Sequence, residues 1–143
     1  MTRKLPFYFF NEDLPYRLTQ KSEIREWLIT AAEDHKREVR EVNYIFCSDH
    51  YLHQINKRFL RHDDFTDIIT FDYAEDHRLR ADVYISIERA RENAATYKVS
   101  VPDEVHRLLI HGLLHLLGYA DKSPAEQELM RQKEDYYLSL RGF

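Results

Sequence analysis

Cysteine is nearly missing from this chain. Cys47 stands alone, so an internal disulfide framework is excluded and a reducing compartment is expected. Three glycines and four prolines in 143 residues exclude a collagen-like or linker-rich sequence. No apolar run approaches the ~18 residues that a membrane-spanning helix needs. The first residues, Met1-Thr2-Arg3-Lys4-Leu5-Pro6-Phe7, lack the apolar stretch of a secretory signal. The expectation is a cytoplasmic protein with no membrane partner. Surplus positive charge is missing too: 21 Lys and Arg face 25 Asp and Glu, for a net charge of −4. That excludes a protein that coats nucleic acid by bulk charge, and leaves room for a local basic groove.

What is present fits one globular domain spanning residues 1–143. Hydrophobic residues are 43% of the chain and charged residues 32%, an ordinary balance for a domain with a single core. Strand and helix patterns alternate along it. Phe7-Tyr8-Phe9-Phe10 is a short aromatic strand. Ile24, Trp27, Leu28 and Ala31 recur at helical spacing between about Thr19 and His35. Val39 to Phe46 reads as a strand, and Ser48-Asp49 as the start of a helix through Leu52, Ile55, Asn56 and Phe59. Thr66 to Phe71 and Ala81 to Ile87 are strands joined by a polar loop, Glu75 to Arg78, with Val83, Ile85 and Ile87 on one face.

The rest is helical. Ser86 caps a helix reaching about Lys98. Ser100-Val101-Pro102-Asp103 and Ser123-Pro124-Ala125-Glu126 are capping-box patterns with proline in the first turn. Between them Val105, Leu108, Leu109, Leu113, Leu116 and Leu117 form an apolar set broad enough for a nearly buried helix, and Gly118 ends it. Strands early and helices late predict an α+β fold: a small mixed four-stranded sheet packed with helices, and a cleft beside the buried central helix.

The sharpest chemical feature is on that helix. His111 and His115 are four residues apart, so both rings leave the same face. Gly118 turns the chain back and Asp121 follows within reach as a third ligand. Two nitrogens and one carboxylate leave a coordination position for water, which is the catalytic rather than the structural zinc pattern. Paired histidines on an apolar helix also serve as buried, hydrogen-bonded core residues; the glycine stop and the carboxylate shift the balance towards metal. A zinc protease needs glutamate directly after the first histidine, where this chain has Gly112. A non-haem iron site of two histidines and a carboxylate ranks below zinc, because nothing indicates a many-stranded barrel.

His111 to Asp121 resembles the H-G-x-L-H-L-x-G-Y-D-H signature of the YbeY endoribonucleases. Upstream, Ile55 to Phe71 is similar to that family's L-N-x-x-Y-R-x-K-D-x-P-T-D-V-L-S-F, and Ala81 to Ser86 to its G-D-I-x-I-S. The similarity runs from about Leu52 to the region of Met130 and Glu134, and three motifs occur in the right order. It implies a zinc-dependent endoribonuclease, specific for single-stranded RNA, acting in 16S rRNA maturation and ribosome quality control. The partners implied are single-stranded RNA, 16S rRNA and the small ribosomal subunit, with no DNA. His111, His115 and Asp121 would hold one zinc ion.

Two departures matter. The family's third histidine falls on Asp121, a carboxylate that should acidify a zinc-bound water less than imidazole would. The family's arginine falls on Leu60; Arg58 and Arg61 are the nearest candidates to take its part, and a solvated helix face competes with that reading. Asp67 and Asp82 are candidates to orient a ligand histidine, and Glu104 a cleft-edge residue. The competing function is a zinc-stabilised, non-catalytic module that docks on the small ribosomal subunit.

Overall fold

The computed structural model describes residues 5–62 and 65–143. Met1 to Lys4, where the absence of a signal was read, and Asp63 and Asp64 of the upstream motif lie outside the described residues.

Four strands form one mixed sheet: β1 (Phe7–Asn11), β2 (Val39–Cys47), β3 (Ile68–Asp72) and β4 (Leu79–Ser86), in the order β1-β2-β4-β3. β1, β2 and β4 run parallel, and β3 pairs antiparallel with β4. The parallel crossovers contain helices, as parallel strands require: α1 (Lys21–Asp34) between β1 and β2, and α2 (Asp49–Leu60) between β2 and β3. Three helices follow: α3 (Ile87–Tyr97), α4 (Val101–Leu116) and α5 (Pro124–Ser139). The α+β architecture read from the sequence is the one observed.

One face of the sheet builds the core. Val42, Tyr44, Phe46, Ala81, Val83 and Ile85 are buried there with α1 and α4. α4 lies at the centre, with Val105, Leu108, Leu109, Ile110, Leu113 and Leu114 all buried. Each such side chain contributes about 1.5–3 kcal/mol by leaving water. The buried Tyr44 hydroxyl donates to the Leu109 carbonyl at 3.0 Å, so β2 holds α4 by a polar bond as well. The opposite face is only partly covered: α2 packs Leu52 and Ile55 on Cys47 and Ile69. Cys47 is a core residue, its thiol pushed up to about 12 chiefly by burial.

Helix starts follow the serines. Ser48, Ser86, Ser100 and Ser123 each accept a backbone N–H three residues on, from Tyr51, Arg89, Asp103 and Glu126. Only Ser123 completes a capping box, with Glu126 reaching back to its N–H. The box expected at Ser100 is half made, because the Asp103 carboxylate accepts from Arg141 at 3.0 Å instead. Ile87, expected to end β4, is the first residue of α3: Ser86 stops the strand and caps the helix. Ile87 is buried all the same. No helix among the described residues is long and apolar enough to cross a membrane.

Candidate metal centre

α4 ends in a turn that places three donors together. Leu116 is its last residue, Leu117 stays near helical angles, and Gly118 adopts φ +110°. The Gly118 N–H donates to the His115 carbonyl and the Tyr119 N–H to the Leu114 carbonyl, both at 3.0 Å. This is the Schellman closure, which needs a residue free to take positive φ. Tyr119 then anchors the returning chain. The Nδ1–H of His35 donates to the Ala31 carbonyl at 2.7 Å, leaving Nε2 to accept the Tyr119 hydroxyl at 2.8 Å. The segment of residues 119–121 is thereby tied to the end of α1, and Asp121 faces the end of α4.

His111 Nε2, His115 Nε2 and Asp121 Oδ2 make a near-equilateral triangle. Its edges are 3.1 Å between the histidines, 3.2 Å from His115 to Asp121 and 3.4 Å from His111 to Asp121. Ligands about 2.0–2.1 Å from a tetrahedral zinc lie about 3.3 Å apart, so the donor set fits such an ion. The three residues form a group that can hold a metal.

The orientation of His111 is set by a residue that sequence spacing did not single out. Glu134 on α5, buried, has Oε2 2.6 Å from His111 Nδ1. The carboxylate accepts from Nδ1–H, so Nε2 keeps its lone pair towards the triangle. The other Glu134 oxygen accepts from Arg107 at 2.8 Å, and Arg107 also donates to Asp135 at 2.7 Å. Burial works against a charged His111 ring, but Glu134, Asp121 and Asp67 outweigh it and its pKa is raised. The signal for Glu134 was present: Met130, Glu134 and Tyr137 are the buried stripe of α5, at spacings of four and three.

The residues proposed to orient a histidine do other work. Asp67 accepts from Asn93 at 3.0 Å, and Asp82 accepts across the sheet from Asn43 at 3.1 Å. Gly112, where a zinc protease has its base, packs on β4: a Cβ there would sit 3.0 Å from Val83 Cγ1. That position faces the sheet, not the metal group.

The triangle opens on a cleft of about 940 Å³ that also holds Asp67, Asn93, Tyr97, Glu104, Arg107, Lys122, Arg131 and Glu134. Glu104 is almost fully enclosed, at 4% exposure, more than a cleft-edge position implied. Leu60 and His62 also line this cleft; Arg58 and Arg61 do not. Arg58 lines a separate groove with Tyr51, Phe59, Tyr73 and Tyr84, its guanidinium 5.3 Å from the Phe59 ring centroid. Arg61 takes φ 57° at the end of α2 and is exposed. Asp67, Asp72, Glu104, Asp121 and Glu134 outnumber Arg107, Lys122 and Arg131 along the cleft by two, a difference one divalent cation would offset.

Comparisons with known proteins identify relatives of this chain. Residues 10–141 match the family described as Endoribonuclease YbeY. A protein of Cytophaga hutchinsonii named Endoribonuclease YbeY is 54% identical over 137 residues, covering 95% of this chain and 96% of the relative. One of Amoebophilus asiaticus with the same name is 43% identical over 136 residues, covering 94% and 92%. The solution structure of TM1509 from Thermotoga maritima superposes with a TM-score of 0.63 at 23% identity, covering 93% of this chain and 87% of that one, a likeness of fold. With residues 10–141 matching the family and relatives of 54% and 43% identity spanning nearly the whole chain, the chain belongs to the YbeY endoribonuclease family.

Proposed function

We propose that this chain is a single-domain, zinc-dependent endoribonuclease that cuts single-stranded RNA and acts in 16S rRNA maturation at the small ribosomal subunit. The observation that carries the reading is the triangle of His111, His115 and Asp121 at the wall of an open cleft. The names of the relatives support an RNA-cleaving hydrolase. A zinc ion held by the three donors would polarise a phosphate or activate water. The chain's own residues supply position and charge. Glu134 fixes the His111 tautomer, and the Schellman turn with the Tyr119–His35 bond holds Asp121. Arg131 and Lys122 are the cleft cations available to phosphate oxygens, since Arg107 is occupied by two carboxylates. A single strand suits the cleft because its backbone bends and its bases are free.

The test compares purified wild type with His115→Ala on an unstructured RNA oligomer, with zinc supplied and with a chelator. Cleavage by the wild type alone, lost on chelation, is the expected result. Equal cleavage by both proteins assigns the activity to a contaminant. No cleavage by either, with small-subunit binding retained, returns the docking module.

A further inference from the structure

We propose that the end of the cleft beyond the metal triangle is a nucleobase subsite, in which the carboxylate of Glu104 reads the Watson–Crick edge of a guanine stacked on Tyr97. The inference rests on the endoribonuclease reading and extends it from cutting RNA to choosing where to cut.

Glu104 lies seven residues before His111 on the same face of α4, about 10 Å away along the axis. It lines the cleft although the residue is only 4% exposed. Among the described residues, no hydrogen bond or ion pair takes up its carboxylate. The polar groups around it are engaged elsewhere: Arg107 with Glu134 and Asp135, and Asn93 with Asp67. Burial raises the Glu104 pKa; Arg107 opposes this, Asp67 and Glu134 add to it, and Arg131 opposes it more weakly. The carboxyl has no donor within the protein, and because no sealed side-chain oxygen among the described residues lacks a partner, its oxygens are open to the cleft and free to accept from a ligand. The cleft is the side from which one can come.

A stacking surface lines the same cleft. Tyr97, the last residue of α3, is 55% exposed and lines the same cleft, with the Arg131 guanidinium 5.6 Å from its ring centroid. Aromatic rings and guanidinium planes are what unpaired bases stack on. Two acceptor oxygens side by side call for two adjacent N–H donors. Of the four RNA bases only guanine presents them, at N1 and the 2-amino group. Adenine and cytosine pair one donor with one acceptor there, and uracil flanks its donor with carbonyls. With phosphate at the metal triangle, the base of a neighbouring nucleotide is the group that reaches Glu104.

The test uses zinc-loaded protein and oligouridine strands carrying one guanosine, inosine, adenosine or cytidine. Inosine lacks only the 2-amino group. Wild type should cut at a fixed distance from guanosine, and roughly tenfold faster than from inosine. In Glu104→Gln the guanosine-to-inosine ratio should fall towards one. Tyr97→Ala, at an exposed position, should weaken binding of guanosine and inosine strands alike. The same ratios are measured by equilibrium binding of these strands to His115→Ala protein, which is expected not to cut, with and without Glu104→Gln. If the wild type cuts nothing, the enzyme reading fails and binding alone decides the subsite. Equal handling of guanosine and inosine by the wild type overturns the proposal, and so does a ratio unchanged in a folded Glu104→Gln protein.

Discussion

The Nδ1 of His111 and the Oε2 of Glu134 lie 2.6 Å apart, joining the middle of the core helix to the last helix of the chain at the metal group. The contact links residues 23 positions apart in sequence. It sets which histidine nitrogen faces Asp121 and His115. Replacing Glu134 by Gln keeps the shape and removes the charge. Zinc affinity should fall about 10–100-fold, as for other partners that orient a ligand histidine. Competition with a chromophoric chelator measures it. Affinity equal to wild type would show that Glu134 serves only Arg107.

Asp121 stands where the family motif has histidine. Asp121→Ala leaves two donors and should purify with little zinc. Asp121→His should retain a full equivalent, since imidazole is as good a zinc ligand. Metal content after gel filtration distinguishes the two. A zinc-free, folded Asp121→His protein would mean that the turn after Gly118 suits only the shorter carboxylate.

The two glycines of the motif should fail differently when changed to alanine. At Gly118 a Cβ meets nothing within 4 Å, but φ is +110°. The cost is conformational, about 1–2 kcal/mol, and zinc affinity should drop with it because the turn carries Asp121. At Gly112 the backbone is helical, and a Cβ would lie 3.0 Å from Val83 Cγ1 and 3.2 Å from Ile68 Cδ1. Alanine gains about 1 kcal/mol of helix propensity and loses about 1–3 kcal/mol to overpacking. Urea melts should therefore show a net loss of about 1 kcal/mol at Gly112. A stabilised Gly112→Ala would mean that β3 and β4 yield to the extra methyl.

His106 supplies a pH signature away from the metal group. Burial, then the Arg141 charge, pushes its pKa down from 6.5 to about 4, with Asp103 opposing. Arg141 Nη1 donates to its Nδ1 at 2.7 Å, which requires a neutral ring. A depressed histidine pKa means that the unfolded chain takes up the proton first. Stability is complete above about pH 6.5 and is lost as the pH falls towards about 4. The loss is roughly 2–3 kcal/mol. In His106→Gln this part of the slope should vanish, read as the difference in urea midpoint between pH 7 and pH 5. An unchanged slope would assign the acid sensitivity to other groups.

Much of this protein was legible in its sequence for a local reason. Hydrophobic period, serine caps and a glycine stop act within a few residues, so the sequence by itself determined nine elements' kinds and order, and the pairing of His111 with His115 across one helical turn. It also placed Asp121 within reach, because a Schellman turn has few outcomes. The tertiary structure decided what depends on distant chain segments meeting. It chose Glu134, not Asp67 or Asp82, as the partner of His111, because α5 packs along α4 while Asp82 faces the opposite side of the sheet. It sent Arg58 to another groove, because α2 turns that side of its surface away from the metal cleft. It enclosed Glu104 and set Tyr97 on the wall of the same cleft, an arrangement made by the packing of α3 on α4.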